Sequence, residues 1–431
     1  MDKRKLGFLV VLVALFAVLL AAAPGPAVAE TPAGHLDPGT QFFTPRASAG
    51  ARAHINWLHN NGQRADARLL RAMTSTPQAV WFTEPRPTRV QEEVRRTVRQ
   101  ANGQGRVPIL VAYNIPFRDC AQFSAGGATT VSQYKAWIDN FAAGIGNLKA
   151  IVILEPDGLG IIPWYKQFRG LPSQAGSYEW CQPADANEAT AANDRFAMLN
   201  YAVDALKARP NTYVYLDGTH SAWLGAGDTA HRLVQAGVLR ADGFFLNVSN
   251  YVQTERLQKY GAWVSKCIWF ATDPASWGNG HFDWCASQYY PADPNDFSTW
   301  HLTDQWYIDN VESQTWAYPG EEGLHGFVID TSRNGQGPWT PAVSYPDPQV
   351  WCNPPGRGVG LRPTADTGNP MLDAYLWIKI PGESDGECTR GLGPGGQTVD
   401  PEWGVIDPAA GQWFRPMALE LARNANPPLL P

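Results

Sequence analysis

The chain has 431 residues, a net charge of −6 and no extended basic run, which argues against a nucleic-acid partner, where clustered Lys and Arg are the electrostatic requirement. Its 18 Trp, 15 Tyr and 17 Phe suit an uncharged partner, because flat apolar rings stack on the faces of sugars, although most of these rings must serve the core.

The first element is a leader. Asp2-Lys3-Arg4-Lys5 is followed by an almost wholly apolar stretch from Leu6 to Ala23 and by Ala27-Val28-Ala29, small residues at cleavage spacing. Residues 1–29 read as a signal peptide, and no later stretch is long enough to span a bilayer, so a secreted, extracellular protein with no membrane association is expected. Export gives meaning to the cysteines. Cys120, Cys181, Cys267, Cys285, Cys352 and Cys388 form an even set with no metal-ligand spacing, so three disulfides are expected. Proximity in sequence favours Cys267 with Cys285 and Cys352 with Cys388, leaving Cys120 for Cys181.

From residue 30 to 431 neither repeats nor linkers occur, so one domain is expected, without an appended binding module. Short apolar runs recur: AVWFTE (79–84), ILVAYNI (109–115), AIVILEPD (150–157), TYVYLDG (212–218), GFFLNVS (243–249), CIWFATD (267–273), GFVIDTS (326–332) and AYLWIKI (374–380). Amphipathic segments lie between several of them, among them PTRVQEEVRRTVRQA, TVSQYKAWIDNFAAGI and NDRFAMLNYAVDALKA. Apolar strands with intervening helices indicate a parallel sheet buried on both faces. About eight strands predict an α/β fold of the TIM-like (β/α) barrel kind, with its site at the C-terminal ends of the strands.

Acids cluster at those ends. Asp119 follows the second run, Asp157 and Asp217 end the third and fourth, Asp330 ends the seventh and Asp385 follows the eighth. Any one of them could cap a helix or close a turn. Five at one rim call for another explanation, because charged side chains are seldom buried unpaired. Metalloprotease, serine-hydrolase, P-loop and dinucleotide signatures are absent, and no metal or cofactor is expected. Glycoside hydrolysis fits, since it needs one carboxyl kept protonated and another ionised.

The motifs NIPFRDC (114–120), LEPD (154–157), LDGTHSAWLG (216–225), NVSNY (247–251), DTSRNG (330–335) and KIPGESDG (379–386) together resemble glycoside hydrolase family 6, the cellulases, in that family's order. The resemblance implies a distorted barrel and hydrolysis of β-1,4-glucosidic bonds with inversion. It matches Asp157 to the general acid. Asp119 corresponds to the residue that keeps the acid protonated and sits on the water relay, beside Arg118 and the disulfide-bonded Cys120, and Asp385 aligns with the candidate base. Tyr113 resembles the tyrosine near the distorted sugar and Ser124 the serine that holds the water, with Asp217 in support. Trp81, Trp223 and Trp351 resemble stacking platforms, and His220, Asn247, Lys379 and Glu383 polar groups around the substrate. The short, Gly-rich stretch between Cys120 and Tyr134 resembles the open loop of endoglucanases. A monomer acting inside cellulose or a related β-1,4-glucan is therefore expected. Cellobiose release from chain ends, a retaining glycosidase and a non-catalytic polysaccharide-binding protein are the alternatives. The Trp-rich and Asp-rich stretch 277–318 matches no core element of the family, and its Asp293-Pro294-Asn295-Asp296 reads as a solvated turn.

Overall fold

The computed structural model describes residues 35–166, 168 and 177–430; the leader expected at 1–29 lies outside them. In chain order the elements are α1 (Ala49–Asn60), α2 (Arg64–Thr74), β1 (Val80–Phe82), α3 (Pro87–Asn102), β2 (Ile109–Ala112), α4 (Val131–Ile145), β3 (Ala150–Leu154) and α5 (Ala191–Lys207). They continue with β4 (Thr212–Asp217), α6 (Ala226–Gln235), β5 (Gly243–Leu246), α7 (Thr254–Thr272), α8 (His301–Tyr307), β6 (Gly326–Asp330), β7 (Leu372–Leu376) and α9 (Arg415–Arg423).

The strands are parallel and pair in sequence order from β1 to β7, so the sheet curls into a partly closed barrel. At the seam, Ala79 N–H donates to the Trp377 carbonyl at 2.9 Å and the Trp81 indole to the Ile378 carbonyl at 2.8 Å. Alternation decides which side chain goes where. Ile151 and Ile153 of β3 join Val111, Tyr215, Phe245 and Val328 in one buried cluster. Val152 and Leu154 face the other way, into a larger cluster with Trp137, Phe141 and Leu199 of the flanking helices. Burial on both faces is why the strands read as continuous apolar runs.

The three amphipathic segments form helices α3, α4 and α5. Pro87 opens α3, where its missing N–H costs nothing, and Thr130 caps α4 by accepting from Gln133 N–H at 3.2 Å. One expected strand is wrong. CIWFATD lies almost wholly in α7, so the described sheet has seven strands rather than eight. Helix α7 is covered nearly all round: Trp263, Val264, Cys267, Ile268 and Phe270 are all buried. A helix with no exposed face has no polar stripe, and a seven-residue window of it looks like a buried strand.

The covering comes from residues 277–318, whose role the sequence left open. The segment is stapled to α7 by the Cys267–Cys285 disulfide and by the Trp263 indole, which donates to Asp304 Oδ1 at 2.8 Å. Within it, Asp293 and Asp296 accept from the N–H groups of Asn295 and Ser298, as a turn requires. The other two disulfides, Cys120–Cys181 and Cys352–Cys388, are the expected pairs. No helix among the described residues is long and apolar enough to cross a membrane.

Strand β5 approaches β6 closely at its first residue, Gly243. A Cβ on Gly243 would lie 1.9 Å from the Gly326 carbonyl oxygen. Gly243→Ala is accordingly expected to cost about 2–4 kcal/mol, since backbone rather than a flexible side chain must yield; urea unfolding with the disulfides intact measures it.

Candidate active site

A cleft of about 720 Å³ opens at the C-terminal ends of the strands. Asp119, Asp157 and Asp385 all line it, together with Tyr113, Arg118, Ser124, Trp81, His220, Trp223, Trp351, Lys379 and Glu383. The structure thus brings together most of the residues expected there. Asp217 and Asn247 do not line it, and neither does Asp330.

Those three act beneath the surface. The Asp217 carboxylate accepts from the N–H groups of Leu159 and Gly160, both at 3.1 Å, and of Thr219 at 2.9 Å. Asp330 accepts from Ser332, Ile378 and Lys379 N–H. Asn247 is fully buried, donating to the Asp330 carbonyl at 2.9 Å and accepting from Val252 N–H at 3.1 Å. All its strong hydrogen-bonding capacity is directed inward.

Glu155 and Asp157 part company in the same way. Both have left-handed backbone, with φ of 54° and 62°, so the chain turns sharply where β3 ends. Glu155 is 0% exposed and accepts from Asn114 N–H at 2.9 Å and Ile115 N–H at 3.0 Å, anchoring the segment that carries Tyr113. Asp157 is left facing the cleft.

Charge now decides protonation. Burial, then the neighbouring charges of Asp217, Asp119 and Asp385, hold the Asp157 carboxyl well above the ordinary range. Burial also raises Asp119 to about 6, although Ser124 N–H donates to its Oδ2 at 2.6 Å and Arg118 stands beside it. Asp385 goes the other way. Burial would raise it, but Arg333 and Lys379 outweigh that, and it lies below the usual carboxylate range. Arg333 Nη1 is 2.8 Å from Asp385 Oδ2 and Lys379 Nζ 3.2 Å from Oδ1, while Asn353 N–H adds a third donor at 3.0 Å. The cleft therefore holds one carboxyl biased toward its protonated form and one biased toward its ionised form.

Around them the aromatic walls are braced. Arg118 lies 4.5 Å over the Tyr113 ring, and the Trp81 ring meets that ring edge-on at 5.2 Å. The loop carrying Trp223 rests on segment 277–318: Gln288 donates to the carbonyls of Ser221 and Leu224, both at 2.8 Å, and Tyr289 to that of Trp223 at 3.0 Å. Burial lowers His220 to about 4, so its ring is neutral near pH 7. Burial raises Glu383 to about 7 despite Lys379, which gives the cleft a fourth titrating acid.

Sequence reasoning did not single out Tyr251, Trp180 or Phe123, which line the cleft, or the fully buried Arg333 that fixes Asp385. Tyr251 and Arg333 lay inside quoted motifs; Trp180 directly precedes a paired cysteine, a weak signal in a chain with 18 Trp. Among the described residues, Cys388, Asp400 and Asp407 come close enough together to suggest a metal site. Cys388 is disulfide-bonded and Asp400 is paired with Arg390 at 2.7 Å, so their chemistry does not suit one.

Comparison with known proteins agrees with this geometry. The profile of Glycosyl hydrolases family 6 matches residues 38–425. The chain belongs to this family. It is 33% identical over 380 residues to Endoglucanase 1 of Streptomyces halstedii, covering 87% of this chain and 91% of the relative. It is 32% identical over 391 residues to Endoglucanase A of Cellulomonas fimi, covering 90% of this chain but only 62% of that longer protein. Among solved structures, the endoglucanase Cel6 from Mycobacterium tuberculosis, in complex with methyl-cellobiosyl-4-deoxy-4-thio-β-D-cellobioside, is similar at a TM-score of 0.61. The two are 33% identical, and the match covers 90% of this chain and 98% of the other. The family 6 membership agrees with the seven-stranded, partly closed parallel barrel of the described residues.

The family 6 cleft has a consequence for stability. Because Asp157 keeps its proton when folded, while the unfolded chain releases it above about pH 4, this group's contribution falls as pH rises from about 4 toward its folded value. The slope is at most ~1.4 kcal/mol per pH unit. Asp157→Asn removes that slope, so the variant is expected to melt higher than the wild type at pH 7 and to show a flatter dependence of Tm on pH.

Proposed function

We propose that this chain is a secreted, inverting endo-1,4-β-glucanase with Asp157 as its general acid. The observation that carries the reading is Asp157 facing an aromatic cleft opposite Asp385, with Asp385 held by Arg333 and Lys379 while Asp157 has acids as its charged neighbours. Supporting it are the endoglucanase relatives and the solved relative with its cellobioside-type ligand.

In the proposed reaction a β-1,4-glucan lies along the cleft, with sugar rings against Trp81, Trp223 and Trp351 and polar contacts from His220, Lys379 and Glu383. Asp157 gives its proton to the leaving oxygen as the glycosidic bond breaks, and water attacks from the opposite face. Asp119 holds the proton on Asp157 by its own charge and stands on the water relay. Asp385 supplies a fixed negative charge facing the cationic sugar carbon; its lowered basicity makes it a weak terminal proton acceptor, and Asp119, near 6, is the better matched relay. Asp217 and Asn247 support the site from below, and no cofactor enters the scheme. Residues 1–29 act as the export leader, residues 30–431 as a single catalytic domain that works as a monomer, and the three disulfides suit an oxidising compartment.

A second reading has an observation in its favour. Phe123, from the loop after Asp119, packs against the loop of Asp385: a Cβ on Gly386 would lie 2.3 Å from its Cβ, and Trp351 is 5.9 Å away ring to ring. Loops that meet can cover a cleft, as release of cellobiose from chain ends would require.

Viscosity loss against reducing-end release on carboxymethylcellulose separates the two. A steep fall in viscosity for few new ends is expected, with an α-configured first product; slow viscosity loss with cellobiose dominant would support chain-end action. Asp157→Ala is expected to lower kcat by about 10²–10⁴ on unactivated substrate. Retained turnover in that variant would remove Asp157 from its role.

A further inference from the structure

Trp180 lies outside every motif of the sequence, yet it lines the cleft. It is 54% exposed and makes no ring contact and no hydrogen bond with any described residue. Single exposed rings are common on a protein surface; what sets this one apart from the exposed Trp57, Trp277 and Trp316 is that it lines the cleft, where a flat apolar face can stack on a ligand.

Its backbone is clamped on both sides. Before it, Glu179 N–H donates to the Tyr165 carbonyl at 2.9 Å, and the Glu179 carboxylate is ion-paired with Arg232. Arg232 is fully buried, also paired with Asp228, and donates to the Leu159 carbonyl at 3.0 Å, two residues beyond Asp157. After it, Cys181 is tied to Cys120, the neighbour of Asp119, and its carbonyl accepts from Trp164 N–H at 2.9 Å. Gln182 closes the clamp by donating to the Glu179 carbonyl at 2.8 Å. Both anchors lead back to the acids of the cleft. An exposed ring on an anchored backbone needs only its own side-chain torsions to settle when a ligand covers it, so the ordering cost is confined to them.

We propose that Trp180 is an additional glucosyl-binding platform on the wall of the cleft between β3 and α5, beyond those assigned to Trp81, Trp223 and Trp351, and that it grips glucan chains long enough to reach it. The proposal rests on the reading of the cleft as a β-glucan site. A neutral sugar face suits this ring better than an anion does, because the nearest charge in sequence, Glu179, is negative and already neutralised by Arg232. A platform of this kind discriminates by chain length. Oligosaccharides too short to reach from the acids to this ring would bind without its help.

The test uses the full chain with Asp157→Asn, which permits binding without turnover, and titrates cellotriose and cellohexaose by calorimetry. Adding Trp180→Ala is expected to weaken cellohexaose binding about fivefold or more while leaving cellotriose unchanged. Trp180→Phe, which keeps a flat ring, is expected to stay close to the parent, and equal melting temperatures show that both variants fold. Equal loss for both lengths, or no loss for cellohexaose, would overturn the platform. Hydrolysis of cellohexaose by the wild type reads the proposed function separately: turnover without length-dependent loss defeats only the Trp180 inference, whereas neither binding nor turnover defeats both.

Discussion

The loops that build the cleft are held by buried carboxylates reaching from one strand end to the backbone of its neighbour. Glu155, just beyond β3, accepts N–H groups from the segment after β2, and Asp217, at the end of β4, accepts them from the segment after β3. Asp330, ending β6, reaches forward to Ile378 and Lys379 after β7 and more weakly back to Ser249 after β5. Parallel strands have no hairpins to register their exits, so side chains must do it. A carboxylate is suited to this because it has several acceptor sites and no donor. Burial raises the carboxyls of Glu155 to about 7 and Asp217 to about 6, so the staples work against their own desolvation.

This arrangement sets the protonation of Asp157. It sits above Asp217 and beside Asp119, with none of the cations that surround Asp385. Burial is the largest part of what raises its carboxyl, and the neighbouring charges of Asp217, Asp119 and Asp385 add to it. Arg333 and Lys379 reverse the balance at Asp385, only a short way along the same cleft. One pool of acids is thereby divided into a carboxyl that favours its proton and one that favours its charge, by burial and by where two cations are placed.

Much of this was legible in the residues. Continuous apolar runs such as AIVIL and amphipathic ones such as PTRVQEEVRRTVRQA report burial on two faces or one, which is the physics of a covered parallel sheet. Asp119, Asp157 and Asp385 were legible by position. What pattern could not reveal was direction: Asp217 and Asp330 stand at strand ends as Asp157 does, yet face inward, because that depends on which backbone donors the neighbouring strand presents. For α7 the failure was one of period, since a helix buried all round keeps no polar stripe. Segment 277–318 gave no signal because its task is to cover α7 and prop the Trp223 loop, a task without a sequence period. Trp180 was hidden by number among 18 tryptophans.

The disulfides complete the same logic. None of the three links strand to strand; the sheet already has its ladder and its clusters. Cys120–Cys181 joins the Asp119 loop to the Trp180 segment, Cys352–Cys388 joins the residue after Trp351 to the loop of Asp385, and Cys267–Cys285 fixes the segment under Trp223. Irregular segments with few backbone bonds of their own lose the most entropy on ordering, and a cross-link removes part of that loss before any substrate arrives. Covalent rigidity is thus concentrated in the cleft walls, in the segments that carry Asp119, Trp180, Trp351 and Asp385 and under the one that carries Trp223.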